Sequence, residues 1–167
     1  MPGQAATEAG VKVLDTWAVM AWLRDEPAAE KMERLWSQAG AGRIRLLISA
    51  INLGEVFYIT ARWRSLKEAE LVWDRLQEMP LEIRPASTPL IREAARLKAL
   101  HRLSYADAFA VATAVREAAP LVTGDPEMKA LAERGLVRLG KSWPSRSTTR
   151  EAWATSWGSS STPTSRA

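Results

Sequence analysis

The stretches Val11-Lys12-Val13-Leu14-Asp15 and Leu121-Val122-Thr123-Gly124-Asp125 decide how this chain is read. Each is a short, mostly apolar run of strand length that stops on an aspartate. Two further acids sit in apolar company. Glu55 lies within Ile51-Asn52-Leu53-Gly54-Glu55-Val56-Phe57-Tyr58-Ile59, and Asp107 within Tyr105-Ala106-Asp107-Ala108-Phe109-Ala110-Val111-Ala112. Carboxylates are almost never fully buried unless they are paired or bind a metal. The chain has only five aspartates, and three of them occupy these positions. Gathered by a fold, the four acids would form an all-oxygen pocket suited to a hard divalent cation.

Around these anchors, strand and helix patterns alternate. A first strand over residues 11–15 leads to a helix over about 17–24, and a second helix begins near Pro27 and runs to about Gln38. Ile44–Ser49 reads as a second strand, followed by a helix to about Arg64 that carries Glu55. Ser65 caps the next helix, where Leu66, Ala69, Val72, Trp73 and Leu76 recur at helical spacing before Pro80. Leu81–Pro85 alternates as a third strand. Helices follow over Thr88–Leu100 and from Ser104 to about Ala118. Leu121–Thr123 is a fourth strand, Pro126–Arg134 a short helix and Leu136–Leu139 a fifth strand. This order predicts an α/β fold with right-handed crossovers and a mainly parallel sheet covered on both faces. Ligands bind such sheets at the carboxyl ends of the strands. Asp15 and Asp125 both fall there.

The 167 residues, 47% hydrophobic and 25% charged, suit a single globular domain. Its expected extent is 11–143, after a flexible start over 1–10. The tail over 144–167 is rich in Ser, Thr and Arg and lacks aliphatic residues, so it is expected to be disordered. Trp153 and Trp157 in that tail could stack on bases, but an uninformative tail is the favoured reading. The absence of cysteine excludes disulfides and thiolate zinc sites, and the single histidine, His101, argues against histidine-based zinc sites and Ser-His-Asp triads. His101 reads as a helix-end residue. No apolar run nears the ~20 residues that cross a bilayer, and no signal peptide is expected. A cytoplasmic location fits the absence of cysteine. The net charge of +4 favours polyanions such as nucleic acid, although a solvated basic surface explains it equally well.

Three of the acids have a second explanation. Asp15 and Asp125-Pro126 look like helix caps, and Ser104-Tyr105-Ala106-Asp107 matches a capping box. Cap and metal ligand are compatible roles, because a helix N-terminus favours negative charge. Glu55 lies in mid-helix, where capping cannot account for it; the alternative is a half-exposed helix edge. Without a cation, four close carboxylates cannot all ionise cheaply, so at least one pKa is expected to rise.

Four fragments, in this order and spacing, resemble the PIN domain and more narrowly the VapC-type toxin ribonucleases, over about residues 11–140. They are Val13-Leu14-Asp15-Thr16, Ser49-Ala50-Ile51-Asn52-Leu53-Gly54-Glu55-Val56, Leu103-Ser104-Tyr105-Ala106-Asp107-Ala108 and Leu121-Val122-Thr123-Gly124-Asp125. The resemblance implies a three-layer α/β/α fold with a five-stranded, mainly parallel sheet of order 3-2-1-4-5. It also implies Mg²⁺- or Mn²⁺-dependent cleavage of RNA by the toxin of a type II toxin–antitoxin pair. The implied metal site and catalytic set is Asp15, Glu55, Asp107 and Asp125. Asp15 and Asp107 are expected as direct ligands, Glu55 as a ligand or through water, and Asp125 as a second-site or water-mediated ligand. Thr16, Asn52, Ser104 and Thr123 are the expected orienting groups. The implied partners are RNA, a small antitoxin covering the acidic cleft and a second copy in a homodimer. One departure stands out: the family commonly has a hydroxyl residue two past the first Asp, where this chain has Trp17, which is expected to narrow the cleft. The rival readings are a PIN nuclease of RNA processing without an antitoxin, a non-catalytic RNA- or protein-binding module, and a phosphohydrolase. The last would need an acid at Trp17.

Overall fold

The computed structural model describes residues 10–140. The start over 1–9 and the tail over 144–167, with Trp153 and Trp157, lie outside the described residues. The elements in chain order are β1 (Gly10–Leu14), α1 (Thr16–Leu23), α2 (Ala29–Gly40), β2 (Ile44–Ser49), α3 (Ala50–Trp63), α4 (Leu66–Glu78), β3 (Leu81–Arg84), α5 (Thr88–Leu100), α6 (Tyr105–Arg116), β4 (Leu121–Val122) and α7 (Pro126–Glu133). The strands lie in the order β3-β2-β1-β4, and every pairing is parallel.

Strand register sorts the side chains into two cores. Val13 lies opposite Leu47 and Leu121, while Leu14 lies opposite Ile48 and Val122. Because successive residues of a strand point to opposite faces, each row packs on a different helix layer. Val13, Leu47 and Leu121 pack with α5, α6 and α7. Leu14, Leu46, Ile48 and Val122 pack with α1, α2, α3 and α4. The result is the expected α/β/α layering, with helices on both faces of a parallel sheet.

The expected fifth strand, Leu136–Leu139, does not form as a strand. It is reduced to one parallel bridge between Leu139 and Leu121. Two bonds hold it, Leu121 N–H to the Arg138 carbonyl at 2.8 Å and Gly140 N–H to the Leu121 carbonyl at 2.9 Å. The physical reason is the length of its neighbour: β4 has two residues and offers room for little more than one pair. The bridge nevertheless sits beside β4, at the sheet edge where a fifth strand would lie.

α6 is deeply seated, with every residue from Ala108 to Ala114 buried. Its largest core side chain, Phe109, is 1% exposed and meets Tyr105 edge-on, with ring centroids 5.0 Å apart. Truncation to Ala leaves a cavity between sheet and helix. We expect Phe109→Ala to lose about 3–5 kcal/mol in urea denaturation; a loss below about 1 kcal/mol would contradict the packing described.

Candidate metal centre at the carboxyl rim of the sheet

In a parallel sheet all strand ends with the same polarity share one edge, so Asp15 after β1, Ser49 at the end of β2 and Thr123 after β4 come to a common rim. Four helices begin there, and each start is capped by a side chain. Asp15 Oδ1 accepts from Ala18 N–H at 2.8 Å at the start of α1. Ser49 Oγ accepts from Asn52 N–H at 3.1 Å at the start of α3. Ser104 Oγ accepts from Asp107 N–H at 3.0 Å at the start of α6. Asp125 Oδ1 accepts from Glu127 N–H at 2.9 Å at the start of α7. The caps read from sequence therefore exist, and they hold the acids at the rim. Four helix N-termini also aim their positive ends at it, which favours negative charge there.

Asp107 and Asp125 come together. With Glu127 they each offer a carboxylate oxygen within 4.8 Å of the others. Asp15 and Glu55 lie beside this trio but outside that tight group. Their electrical influence is nonetheless mutual: Asp107 and Asp125 act on Asp15, while Asp125, Glu55 and Glu127 act on Asp107. Asp15 is 2% exposed. Burial, followed by the charges of Asp107 and Asp125, pushes its pKa up to about 7, against the opposing effect of bonds from Thr123 and Ala18. Asp107 is raised chiefly by burial and then by Asp125, Glu55 and Glu127, with the Ser104 hydroxyl opposing. The expected rise thus falls on Asp15 and Asp107, with burial the larger cause and the neighbouring carboxylates the smaller one.

Hydroxyl and amide groups fix these acids in place. Thr16 donates to Glu55 Oε2 at 2.6 Å, and Tyr58 donates to Glu55 Oε1 at 3.1 Å. Partial burial, then Glu55, raises the Tyr58 phenol above its ordinary pKa and keeps it a donor. Asn52, fully buried, donates through Nδ2 to Thr16 Oγ1 and to the Ala106 carbonyl, both at 3.1 Å, and its Oδ1 accepts from Ser49 at 2.6 Å. One amide thereby ties the starts of α1, α3 and α6 together. Ser104 donates to Asp107 Oδ2 at 2.6 Å. Thr123 bonds to Asp15 and also accepts from Asp125 N–H at 3.0 Å, joining two of the acids. All four expected orienting residues contact an acid side chain or, in the case of Asn52, hold the hydroxyl that does.

The sequence reading missed Glu127 and Tyr58. Glu127 in Asp125-Pro126-Glu127 looks like an ordinary first-turn acid complementing the helix dipole, and its two-residue spacing from Asp125 was the available signal. The donor set fits a hard divalent cation: every converging group is a carboxylate, and two of them resist ionising without a positive charge. His101 stands apart as the C-cap residue of α5.

A parallel sheet covered by helices on both faces, with an acidic cluster at its carboxyl rim, places this molecule among the three-layer α/β/α domains. The PIN domain family model matches residues 12–134, and the chain belongs to the PIN domain family. No curated protein sequence matches the chain. Among solved structures, its fold is similar to VapBC2 from Rickettsia felis bound to a promoter DNA fragment, at 21% identity and TM-score 0.61 over 80% of this chain and 98% of that one. It is also similar to VapC20 from Mycobacterium tuberculosis, a toxin that cleaves the sarcin-ricin loop, at 17% identity and TM-score 0.59 over 71% and 93%. FitAcB from Neisseria gonorrhoeae matches at 20% identity and TM-score 0.58 over 80% and 99%. Among the described residues no helix is long and apolar enough to cross a membrane.

The raised acids make stability depend on pH. Between an unfolded value of 3.8 and a folded value of about 7, the folded chain keeps the Asp15 proton that the unfolded chain has released. Stability therefore falls as pH rises through this interval and levels off above it. In EDTA we expect the protein to be less stable at pH 8 than at pH 5 by roughly 2–3 kcal/mol from Asp15, at about 1.4 kcal/mol per unit of pH. Asp15→Asn should remove that difference. An unchanged slope in the variant would place the titrating group elsewhere.

Proposed function

We propose that this protein is a metal-dependent endoribonuclease of the VapC type, the toxin of a toxin–antitoxin pair. The observation that carries the reading is the trio Asp107, Asp125 and Glu127, with oxygens within 4.8 Å, beside a buried Asp15 whose pKa is raised by burial and further by the charges of Asp107 and Asp125. In this reading Asp15, Asp107 and Asp125 hold Mg²⁺ or Mn²⁺, with Glu55 a ligand directly or through water and Glu127 an added donor. Such a cation would neutralise charge developing on a phosphodiester and make a nearby water more acidic.

The chain's own groups prepare that chemistry. Thr16 and Tyr58 hold both Glu55 oxygens, which fixes the direction of its charge. Asn52 keeps the Thr16 hydroxyl turned toward Glu55, because it occupies the Thr16 oxygen as a donor. Thr123 sets the spacing of Asp15 and Asp125. Asp15 and Asp107 resist ionisation in the metal-free state, so cation binding would release protons and strengthen as pH rises toward 7. The net charge of +4 suits a polyanionic partner such as RNA.

The fold likeness to a toxin–antitoxin complex from Klebsiella pneumoniae supports a small antitoxin as the partner, and a homodimer in the cytoplasm is proposed with it as part of the same reading. A PIN nuclease acting without an antitoxin is the second reading; co-purification with a small protein encoded beside it distinguishes the two.

Purified protein incubated with structured RNA should cleave in Mn²⁺ or Mg²⁺ and not in EDTA. Asp15→Asn and Asp107→Asn should each lower the rate by at least about 100-fold, the scale on which a lost electrostatic group costs an enzyme. Cleavage undiminished in both variants would refute the assignment of these residues. Equal melting temperatures in EDTA and in excess Mn²⁺ would count against the centre itself.

A further inference from the structure

Gly124 is buried between Thr123 and Asp125, and the reason it must be glycine is an unusually close neighbour. A Cβ built on it would lie 2.3 Å from Trp17 Cη2, 2.4 Å from Cζ2 and 2.7 Å from Cζ3. Backbone conformation does not demand glycine here, since Gly42 and Gly135 are the described glycines with positive φ. Nor is such crowding general: Gly10, Gly40, Gly42, Gly54 and Gly135 have nothing within 4 Å of the same position. The distal ring of the Trp17 indole therefore lies directly on the backbone of the β4–α7 turn.

That turn carries much of the centre. Thr123 bonds to Asp15 and accepts from Asp125 N–H, and Asp125 and Glu127 both follow within four residues. The opposing segment, Asp15-Thr16-Trp17, begins α1 and supplies the buried acid, the hydroxyl on Glu55 and the ring on Gly124. Trp17 also packs into the core formed by α1 to α4, so its ring is anchored on a rigid layer.

We propose that Trp17 is a positioning residue of the metal centre: its indole and Gly124 form an obligate pair that sets the distance of Asp125 and Glu127 from Asp15 and Asp107. This rests on the metal-centre reading of the same rim. An added methyl at 124 must push the turn away from α1, and loss of the ring must leave the turn unsupported.

The test uses the full chain as wild type, Asp15→Asn, Gly124→Ala, Trp17→Ser and the Trp17→Ser/Gly124→Ala double variant. Calorimetry reads the Mn²⁺ dissociation constant, and melting in EDTA reads the steric interlock without metal. Gly124→Ala should melt below wild type and bind Mn²⁺ about 10-fold or more weakly, on the scale of a lost supporting contact at a metal site. Trp17→Ser should also bind about 10-fold more weakly. The double variant should match Trp17→Ser in both readouts, because its added methyl no longer meets a ring. A merely structural ring would lower the melting temperature and leave the affinity of the folded protein unchanged, which would overturn the proposal. Equal losses from Gly124→Ala with and without Trp17 would overturn it as well. Should Gly124→Ala fail to fold, a folded double variant supports the interlock, and failure of both contradicts it. If wild type binds no Mn²⁺, or Asp15→Asn binds it as tightly, the metal centre itself falls; full affinity in Gly124→Ala beside a defective Asp15→Asn removes the clamp alone.

Discussion

Carboxylates repel one another, and burial deprives them of the water that would ordinarily stabilise their charge. At the carboxyl rim of this sheet, Asp15, Glu55, Asp107, Asp125 and Glu127 are nevertheless held within one another's fields. Much of the surrounding structure is arranged around that repulsion. Four helix N-termini point at the rim, hydroxyls from Thr16, Tyr58, Ser104 and Thr123 bond to the acids, and Asp15 and Asp107 are pushed toward protonation. These devices hold the metal-free chain together. They leave a concentration of oxygen donors whose natural complement is a small, hard cation.

The parallel sheet makes the convergence possible at low topological cost. Each crossover returns the chain to the same edge, so residues as far apart in sequence as Asp15 and Asp125 are brought there by hydrogen-bonded register alone. Asn52 then performs the local alignment. A single buried amide on α3 bonds to groups on α1 and α6, so the loss of its donors would free the Thr16 hydroxyl from one of its bonds and the start of α6 from α3 in one step.

Much of this was legible in residue order. Val11–Leu14 and Ile44–Ser49 announce buried strands, and Asp15, Ser65, Ser104 and Asp125 cap the helices that follow them. The fifth strand was not legible, because whether Leu136–Leu139 pairs depends on the length of β4 rather than on its own apolar pattern. Glu127 was hidden for a different reason: an acid in the first turn of a helix satisfies local rules whether or not it also faces other acids. Trp17 stands out in the sequence as a departure from the family pattern, while Gly124 is one residue of a quoted fragment. Their contact joins segments more than one hundred residues apart, and no local pattern encodes it.

The central claim is that these carboxylates share a cation at one rim of the sheet. Anomalous diffraction from crystals grown with Mn²⁺ tests it most directly. The account predicts an anomalous peak coordinated by Asp107 and Asp125, next to Asp15. Crystals in ample Mn²⁺ that show no such peak, or place it away from this rim, would contradict the account.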